Sequence, residues 1–431
     1  MNISIEPSSL KGMVQAPPSK SVAHRMLICG ALGNGKSVLR GISSSEDLLA
    51  TMDCIRALGA CVEREGDVVS IEGIGARKAK CSGDGSGCED LPVFACRESG
   101  STLRFFIPIA LAVCGGGIFT GTSRLMERGI GIYEELFQDA GISVQEWTEP
   151  SLIMSGQPGP LGLRISGELK PGDYKLRGDV SSQFVTGLLF ALSLLEECST
   201  VEVLPPVESR AYIDITLDTM RQFGVNIREV SENRFLIPGG GAYQSRCLEV
   251  EGDWSNGAFL YAFNAVGHEL RIRGLREDSI QGDKACTGFL KQLMDVRKGE
   301  TKGQLPVIDL SGTPDLGPVL FAAAAVLGGG HFTGTRRLRI KESDRAAAMQ
   351  TELAKFGIRC RVGENEVIVE PGTLKRPEVP LYGHNDHRIV MALCVPASLT
   401  GAELEDVEAV RKSWPDFFEV LKKASLEWDF V

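Results

Sequence analysis

Six apolar segments of helical length, Val22–Leu32, Thr102–Val113, Phe184–Leu195, Gly257–Val266, Gly317–Leu327 and Arg388–Leu399, alternate along the chain with six amphipathic ones. Helices without a polar face are normally buried, so the first set is expected inside the protein. The second set is Glu46–Leu58, Gly131–Ala140, Arg210–Phe223, Asp283–Met294, Asp344–Phe356 and Asp416–Ala424, with apolar residues at three- and four-residue spacing and charges between them. Glycines at 59, 141, 224 and 357 close several of these helices, as a left-handed cap requires. Alternating stretches at Val62–Ile71, Ser143–Met154, Asn226–Ile237 and Arg359–Val369 then read as hairpins. Short strands ending on glycine, Val38–Gly41, Ile118–Gly121, Leu270–Gly274 and His331–Gly334, precede amphipathic helices. The repeat is thus an α/β unit of roughly 72 residues.

Three units precede the Pro238-Gly239-Gly240-Gly241 break and three follow it, which predicts two similar α/β domains. The first strand, Ile3–Gly12, lies ahead of unit one and is assigned to the second domain, with a hinge near Pro17-Pro18. The expected lobes are therefore residues 20–248, and residues 1–19 with 249–431. A cleft between two such lobes is the expected ligand site.

The formal charge of −10 comes with no local block of Lys/Arg, which argues against nucleic-acid or anionic-membrane partners and favours small molecules. The apolar runs are far shorter than the roughly 20 residues that span a bilayer. The first residues lack the basic and apolar regions of a signal peptide, so a cytoplasmic protein is expected. Twelve scattered cysteines without a Cys-x-x-Cys pair read as reduced thiols. The cluster Cys81, Cys88 and Cys96 lies in a Gly/Ser/Asp-rich stretch with no histidine nearby, and reads as a surface loop rather than a zinc site. No metal is expected.

Chemistry gathers at the starts of the helical segments. Lys20-Ser21 with Arg25, Ser99-Gly100-Ser101-Thr102 with Arg104, and Ser181-Ser182-Gln183 open the first three apolar segments. Lys341-Glu342-Ser343-Asp344-Arg345, Asp386-His387-Arg388 and Lys412-Ser413-Trp414-Pro415 recur in the second half. Ordinary N-capping explains any one of these alone. Cations in a first turn oppose the helix dipole, however, so their recurrence calls for an anionic ligand such as phosphate or carboxylate.

Four segments carry a specific resemblance: Pro18-Ser19-Lys20-Ser21-Val22-Ala23-His24-Arg25, Gly178-Asp179-Val180-Ser181-Ser182-Gln183-Phe184, Ile340-Lys341-Glu342-Ser343-Asp344-Arg345 and Asp386-His387-Arg388. In this order they resemble the signatures of the 5-enolpyruvylshikimate-3-phosphate (EPSP) synthase family, over about residues 10 to 422. The resemblance implies two inside-out α/β domains, each of three βαβαββ units. It also implies transfer of the enolpyruvyl group of phosphoenolpyruvate to the 5-hydroxyl of shikimate 3-phosphate, with release of phosphate, on the route to chorismate and the aromatic amino acids. No cofactor is implied, and a monomer is expected.

Carried over residue by residue, the resemblance assigns Lys20, Ser21 and Arg25 to shikimate 3-phosphate, with Lys20 reaching both substrates. Ser181, Ser182 and Ser209 would hold its phosphate, Gln183 and Tyr212 would line its ring, and Asp315 and Lys341 would also contact it. Gly100, Arg128, Gln183, Arg345, Arg388 and Lys412 would surround phosphoenolpyruvate, with Arg104 in support. Asp315 would be the carboxylate beside the target hydroxyl, and Glu342 with Lys341 the acid/base pair near the phosphate. For His387, a role in the site and a plain hydrogen-bonding role stand equal. The sequence departs from the family pattern at Glu98-Ser99, before Gly100, and at Arg128-Gly129. Both departures bear on the shape of the phosphoenolpyruvate pocket and on sensitivity to its mimic glyphosate.

Other readings remain at this point. A UDP-N-acetylglucosamine enolpyruvyl transferase would have Lys-Asn where Lys20-Ser21 stands, and a loop cysteine that Thr122–Gly131 does not offer. A nonenzymatic anion-binding paralogue would account for the cations without needing Asp315 or Glu342. RNA 3'-phosphate cyclases share related folding units but would need a nucleotide-attacking histidine and a basic surface.

Overall fold

The computed structural model describes residues 1–75, 91–148, 162–300 and 303–431. The chain forms two compact units, one of residues 20–250 and the other of residues 1–19 with 251–431.

Among the described residues of the 20–250 unit the helices are α1 (Lys20–Leu32), α2 (Glu46–Ala57), α3 (Gly100–Cys114), α4 (Ser123–Glu127), α5 (Gly131–Ala140), α6 (Ser182–Leu192) and α7 (Arg210–Gln222). Helices α1, α3 and α6 are buried almost all round, as their lack of a polar stripe dictates. Helices α3 and α6 pack closely along each other. A methyl group at Gly187 would stand 2.4 Å from both the Arg104 carbonyl and Tyr133 Oη, so only glycine permits this approach.

Among the described residues this unit also has three four-stranded sheets, and all have one plan. A first strand pairs in parallel with a central one, which pairs antiparallel with the return arm of a hairpin. The central strands are Lys36–Arg40, Gly116–Thr120 and Ser199–Leu204. Cys247–Glu249, at the unit's end, supplies the first strand of the first sheet.

The second unit contains α8 (Trp254–Val266), α9 (Cys286–Arg297), α10 (Gly317–Leu327), α11 (Arg345–Lys355), α12 (His387–Thr400) and α13 (Phe417–Lys423). Here α8, α10 and α12 are the buried helices, around one continuous apolar core. One of its sheets repeats the plan above around Gly330–Thr333. Another takes its third strand, Ile3–Ile5, from the start of the chain, between Ala402–Glu405 and Trp428–Phe430.

The structure corrects several expectations. The single strand Ile3–Gly12 is two, Ile3–Ile5 and Lys11–Gln15, with Pro7 in the interruption. The fourth unit's sheet has only two strands among the described residues, Lys11–Gln15 and Glu269–Arg273. The hairpin expected over Ser143–Met154 begins with Ser143–Trp147, but its partner strand is Gly162–Ser166, and residues 149–154 lie outside the described residues. Asp283 falls in a 3-10 turn, Gly282–Ala285, ahead of α9. Lys412 ends a 3-10 turn, Val407–Lys412, rather than opening a helix. Cys81 and Cys88 also lie outside the described residues, whereas Cys96 is buried rather than in a surface loop.

Candidate active site

In the 20–250 unit, Lys20 is the first residue of α1 and its Nζ lies 2.7 Å from Asp47 Oδ2 on α2. One turn on, Arg25 is buried: its Nε donates to Thr216 Oγ1 at 2.7 Å and its Nη2 to the Tyr212 carbonyl at 2.9 Å. Nη1 donates to the Ser21 carbonyl at 2.6 Å, which ties the two α1 residues together. The guanidinium also lies 5.3 Å from the centre of the Phe105 ring. Burial draws its pKa down to about 10, which still leaves it charged at neutral pH.

The α6 start is built on Ser181, whose Oγ accepts the Gln183 N–H at 3.3 Å. Gln183 Oε1 accepts from Arg104 Nη1 at 2.7 Å and its Nε2 donates to Ser101 Oγ at 2.9 Å, so the side chain is oriented from both ends. Ser182 and Ser209 are buried, and Ser209 has φ +56° immediately before α7. Tyr212 is half-buried on the first turn of α7.

Gly100 and Ser101 open α3, where the first N–H groups have no acceptor within the helix. A Cβ on Gly100 would lie 2.8 Å from both Arg128 Nη2 and Arg104 Nη1, so the glycine leaves room for two guanidinium heads. Arg104 Nη2 donates to the carbonyls of Arg128 and Gly129 at 3.3 and 3.2 Å, supporting the Arg128 loop from behind. Arg128 Nε is buried with no hydrogen-bond partner among the described residues. A buried guanidinium N–H in that condition favours an anion nearby.

In the other unit, Asp315 sits in the 3-10 turn Pro314–Leu316 ahead of α10, and no side chain caps that helix. Asp315 is therefore no ordinary cap. Its carboxylate meets Lys341 Nζ at 3.2 Å, Arg345 Nη1 at 2.9 Å and Arg388 Nη2 at 3.1 Å. Burial alone would raise the Asp315 pKa, but Arg388, Lys341 and Arg345 together hold it well below the usual carboxylate range. Lys341 is drawn down to about 8, chiefly by burial and against the pull of Asp315.

Arg345 is almost wholly enclosed. Its Nη2 lies 2.6 Å from Glu342 Oε2 and its Nε 2.8 Å from Asp386 Oδ2, and these carboxylates with Asp315 outweigh burial to raise its pKa. Asp386 also accepts from Ser343 Oγ at 3.0 Å and from the Arg388 N–H at 2.9 Å, capping α12. Lys412 Nζ donates to the Asn385 carbonyl at 2.6 Å. His387 is buried at the first position of α12, its Nδ1 3.9 Å from Asp386 Oδ1.

Sequence reasoning did not single out Asp47, Asp386 or Asp283 as site groups. Asp386 was in view as part of a motif, and its helix-capping position was the signal available. Asp283 is buried, and burial with the Asp315 charge pushes its pKa up to about 6. Its position beside that charge is set by tertiary packing, which the sequence does not display.

Two groups of cations, one of them enclosing paired carboxylates, define a protein built to handle a multiply anionic small molecule. The model of the family described as EPSP synthase (3-phosphoshikimate 1-carboxyvinyltransferase) matches residues 5–421, and the chain belongs to that family. A 3-phosphoshikimate 1-carboxyvinyltransferase of Clostridioides difficile (strain 630) is 38% identical over 432 residues, covering 98% of this chain and 97% of that protein. One of Clostridium kluyveri is 38% identical over 441 residues, covering 99% and 98%. Among solved structures, EPSP synthase from Acinetobacter baumannii superposes with a TM-score of 0.76 at 24% identity, covering 100% of this chain and 99% of that one. The enolpyruvyl transferase NikO from Streptomyces tendae gives 0.70 at 14% identity, covering 100% and 98%. These two superpositions concern the fold, which is the two-domain α/β architecture of these proteins.

Proposed function

We propose that the protein transfers the enolpyruvyl group of phosphoenolpyruvate to the 5-hydroxyl of shikimate 3-phosphate, giving 5-enolpyruvylshikimate 3-phosphate and phosphate. The observation that carries this reading is the Asp315 carboxylate held among Lys341, Arg345 and Arg388, with Glu342 on Arg345. Carboxylates among buried cations balance charge, but Asp315 and Glu342 also supply groups able to accept and give protons, which a passive anion-binding protein does not need. The family match and the curated relatives likewise do not favour the UDP-N-acetylglucosamine or nonenzymatic alternatives.

In this reading the residue 20–248 lobe is the shikimate 3-phosphate side. Lys20, Ser21 and Arg25 bind that substrate, Ser181, Ser182 and Ser209 hold its phosphate, and Gln183 and Tyr212 line its ring. Gly100, Arg128, Arg345, Arg388 and Lys412 are read as the ligands of phosphoenolpyruvate. Asp315 accepts the proton of the 5-hydroxyl as its oxygen attacks C2 of phosphoenolpyruvate, while the Lys341/Glu342 pair delivers a proton to C3. The tetrahedral intermediate then returns that proton from C3 to the Lys341/Glu342 pair, the C2–O bond to phosphate breaks as the enol double bond re-forms, and the proton taken up by Asp315 leaves with the released phosphate.

A carboxylate held by three cations is a weak base. Substrate phosphate and carboxylate engage the same cations, relax their hold on Asp315 and raise its basicity when the hydroxyl arrives. Lys341, with a pKa near 8, is suited to give and take a proton at neutral pH. No cofactor enters these steps.

No helix among the described residues is long and apolar enough to cross a membrane. The described cysteines are free thiols, in keeping with a cytoplasmic enzyme, which we read as acting as a monomer. Phosphate release from purified protein with both substrates tests the reading. No release above that with either substrate alone would end it.

A further inference from the structure

Helices α1, α2 and α3 are joined by a buried file of polar side chains. Lys20 and His24 stand four residues apart on α1, as do Asp47 and Thr51 on α2, so each pair shares one helix face. The outer rung of this ladder is Lys20–Asp47, at 2.7 Å. In the inner rung, His24 Nδ1 lies 2.7 Å from Thr51 Oγ1. The file continues: Thr51 Oγ1 is 2.8 Å from Thr102 Oγ1 on α3, and Thr102 Oγ1 donates to Ser99 Oγ at 2.8 Å. Ser99 Oγ also accepts the Thr102 N–H at 3.2 Å, capping α3 immediately before Gly100.

The direction of these bonds follows from their end. Thr102 spends its one hydroxyl proton on Ser99, so Thr51 donates to Thr102, and His24 Nδ1–H donates to Thr51. One tautomer of a neutral imidazole is therefore selected. Burial, with Lys20 and Arg25 nearby, holds the His24 pKa well below its usual value, so the ring remains neutral beside two cations. All four side chains are at most 1% exposed, and hydroxyls so buried carry no plain solvation role.

We propose that His24, Thr51 and Thr102 are positioning residues that fix the Ser99-Gly100 turn, and through it the phosphoenolpyruvate pocket, relative to Lys20. This inference rests on the reaction proposed above. None of the three touches substrate in this scheme. They act through Ser99, whose placement sets where the Gly100 backbone stands beside Arg128.

Thr51→Val keeps the shape of the side chain and removes the hydroxyl at the centre of the file, while leaving the Lys20–Asp47 rung in place. The expected result is a KM for phosphoenolpyruvate raised about tenfold, with the KM for shikimate 3-phosphate changed less than about twofold, and recovery in Thr51→Ser. An unchanged phosphoenolpyruvate KM, or an equal rise in both KM values, overturns the proposal, since a merely structural defect does not discriminate between substrates. If Thr51→Val does not fold, Thr102→Val is held to the same criterion. If the wild-type protein releases no phosphate, the proposed reaction fails separately, and the positioning role is judged on substrate-free protein by nuclear magnetic resonance. Ser99 and Gly100 amide signals that shift in Thr51→Val and return in Thr51→Ser support it, and signals that stay in place overturn it.

Discussion

Lys341 Nζ lies 3.2 Å from Asp315 Oδ1, yet the lysine pKa is drawn down to about 8 rather than raised by its partner. Burial of the ammonium, together with Arg337 and Arg345, outweighs the attraction of Asp315 and Glu342. The folded state thus binds this proton less tightly than the unfolded state does. Below pH 8 the full penalty of a buried charge is present, and it fades as pH rises toward the unfolded lysine value. Lys341→Met is therefore expected to stabilise the protein at pH 7 by about 1 kcal/mol or more while abolishing phosphate release. Thermal denaturation should show the gain shrinking between pH 8 and 10.5, and a gain that grows over that range would contradict the assignment.

Glu342 touches Arg345 rather than Asp315, so its removal should leave the Asp315 cluster standing. Glu342→Gln preserves size and loses the acid/base group, and turnover is expected to fall by about 10²–10⁴-fold. Shikimate 3-phosphate binding, measured by calorimetry, should stay near the wild-type value. Weak binding with near-normal turnover is the outcome that sinks the role.

Asp386 is fully buried and serves Arg345, Ser343 and the α12 N-terminus at once. Asp386→Ala removes one half of a buried ion pair and a helix cap, so a loss of about 3–5 kcal/mol is expected in chemical denaturation. A loss below about 1 kcal/mol would show that the pair is replaced by water.

Gly100→Ala would press a methyl group against the heads of Arg128 and Arg104. Arg104 is held by Gln183 and the Gly129 carbonyl, so Arg128 is the side chain expected to yield. Glyphosate, as an extended mimic at the phosphoenolpyruvate position, should lose more affinity than the smaller substrate, by about tenfold or more. Competition kinetics would show it, with Glu98→Asn as the companion variant for any repulsion by that carboxylate. Equal weakening of substrate and inhibitor would refute the steric account.

Much of the architecture was legible because buried helices without polar faces leave an unmistakable sequence trace. All six apolar segments are helices, and glycines 59, 141, 224 and 357 all take positive φ where the caps were read. The strands were harder. Ile3–Ile5 and Lys11–Gln15 find their partners some hundreds of residues away, and no local pattern reports such pairing. For the site, the cations were visible as motifs and Asp315 and Glu342 were reached through the family resemblance, but the ion pairing that sets their charge balance was not legible. Asp315 reads as a cap until Lys341, Arg345 and Arg388 are seen around it, and Thr51 and Thr102 read as ordinary helix residues until their hydroxyls meet.

Ile3–Ile5 lies between Ala402–Glu405 and Trp428–Phe430 in its sheet. A ribosome making the chain therefore finishes the whole 20–250 unit while these opening residues still lack both neighbours. Roughly four hundred residues must be synthesised before that strand can pair, which amounts to some tens of seconds at ordinary elongation rates. During that interval an apolar strand with both backbone edges free is open to any other strand in the cell. The sheet that holds Ile3–Ile5 can therefore close only once Ala402–Glu405 and Trp428–Phe430 have been made, which sets it among the last parts of its unit to form.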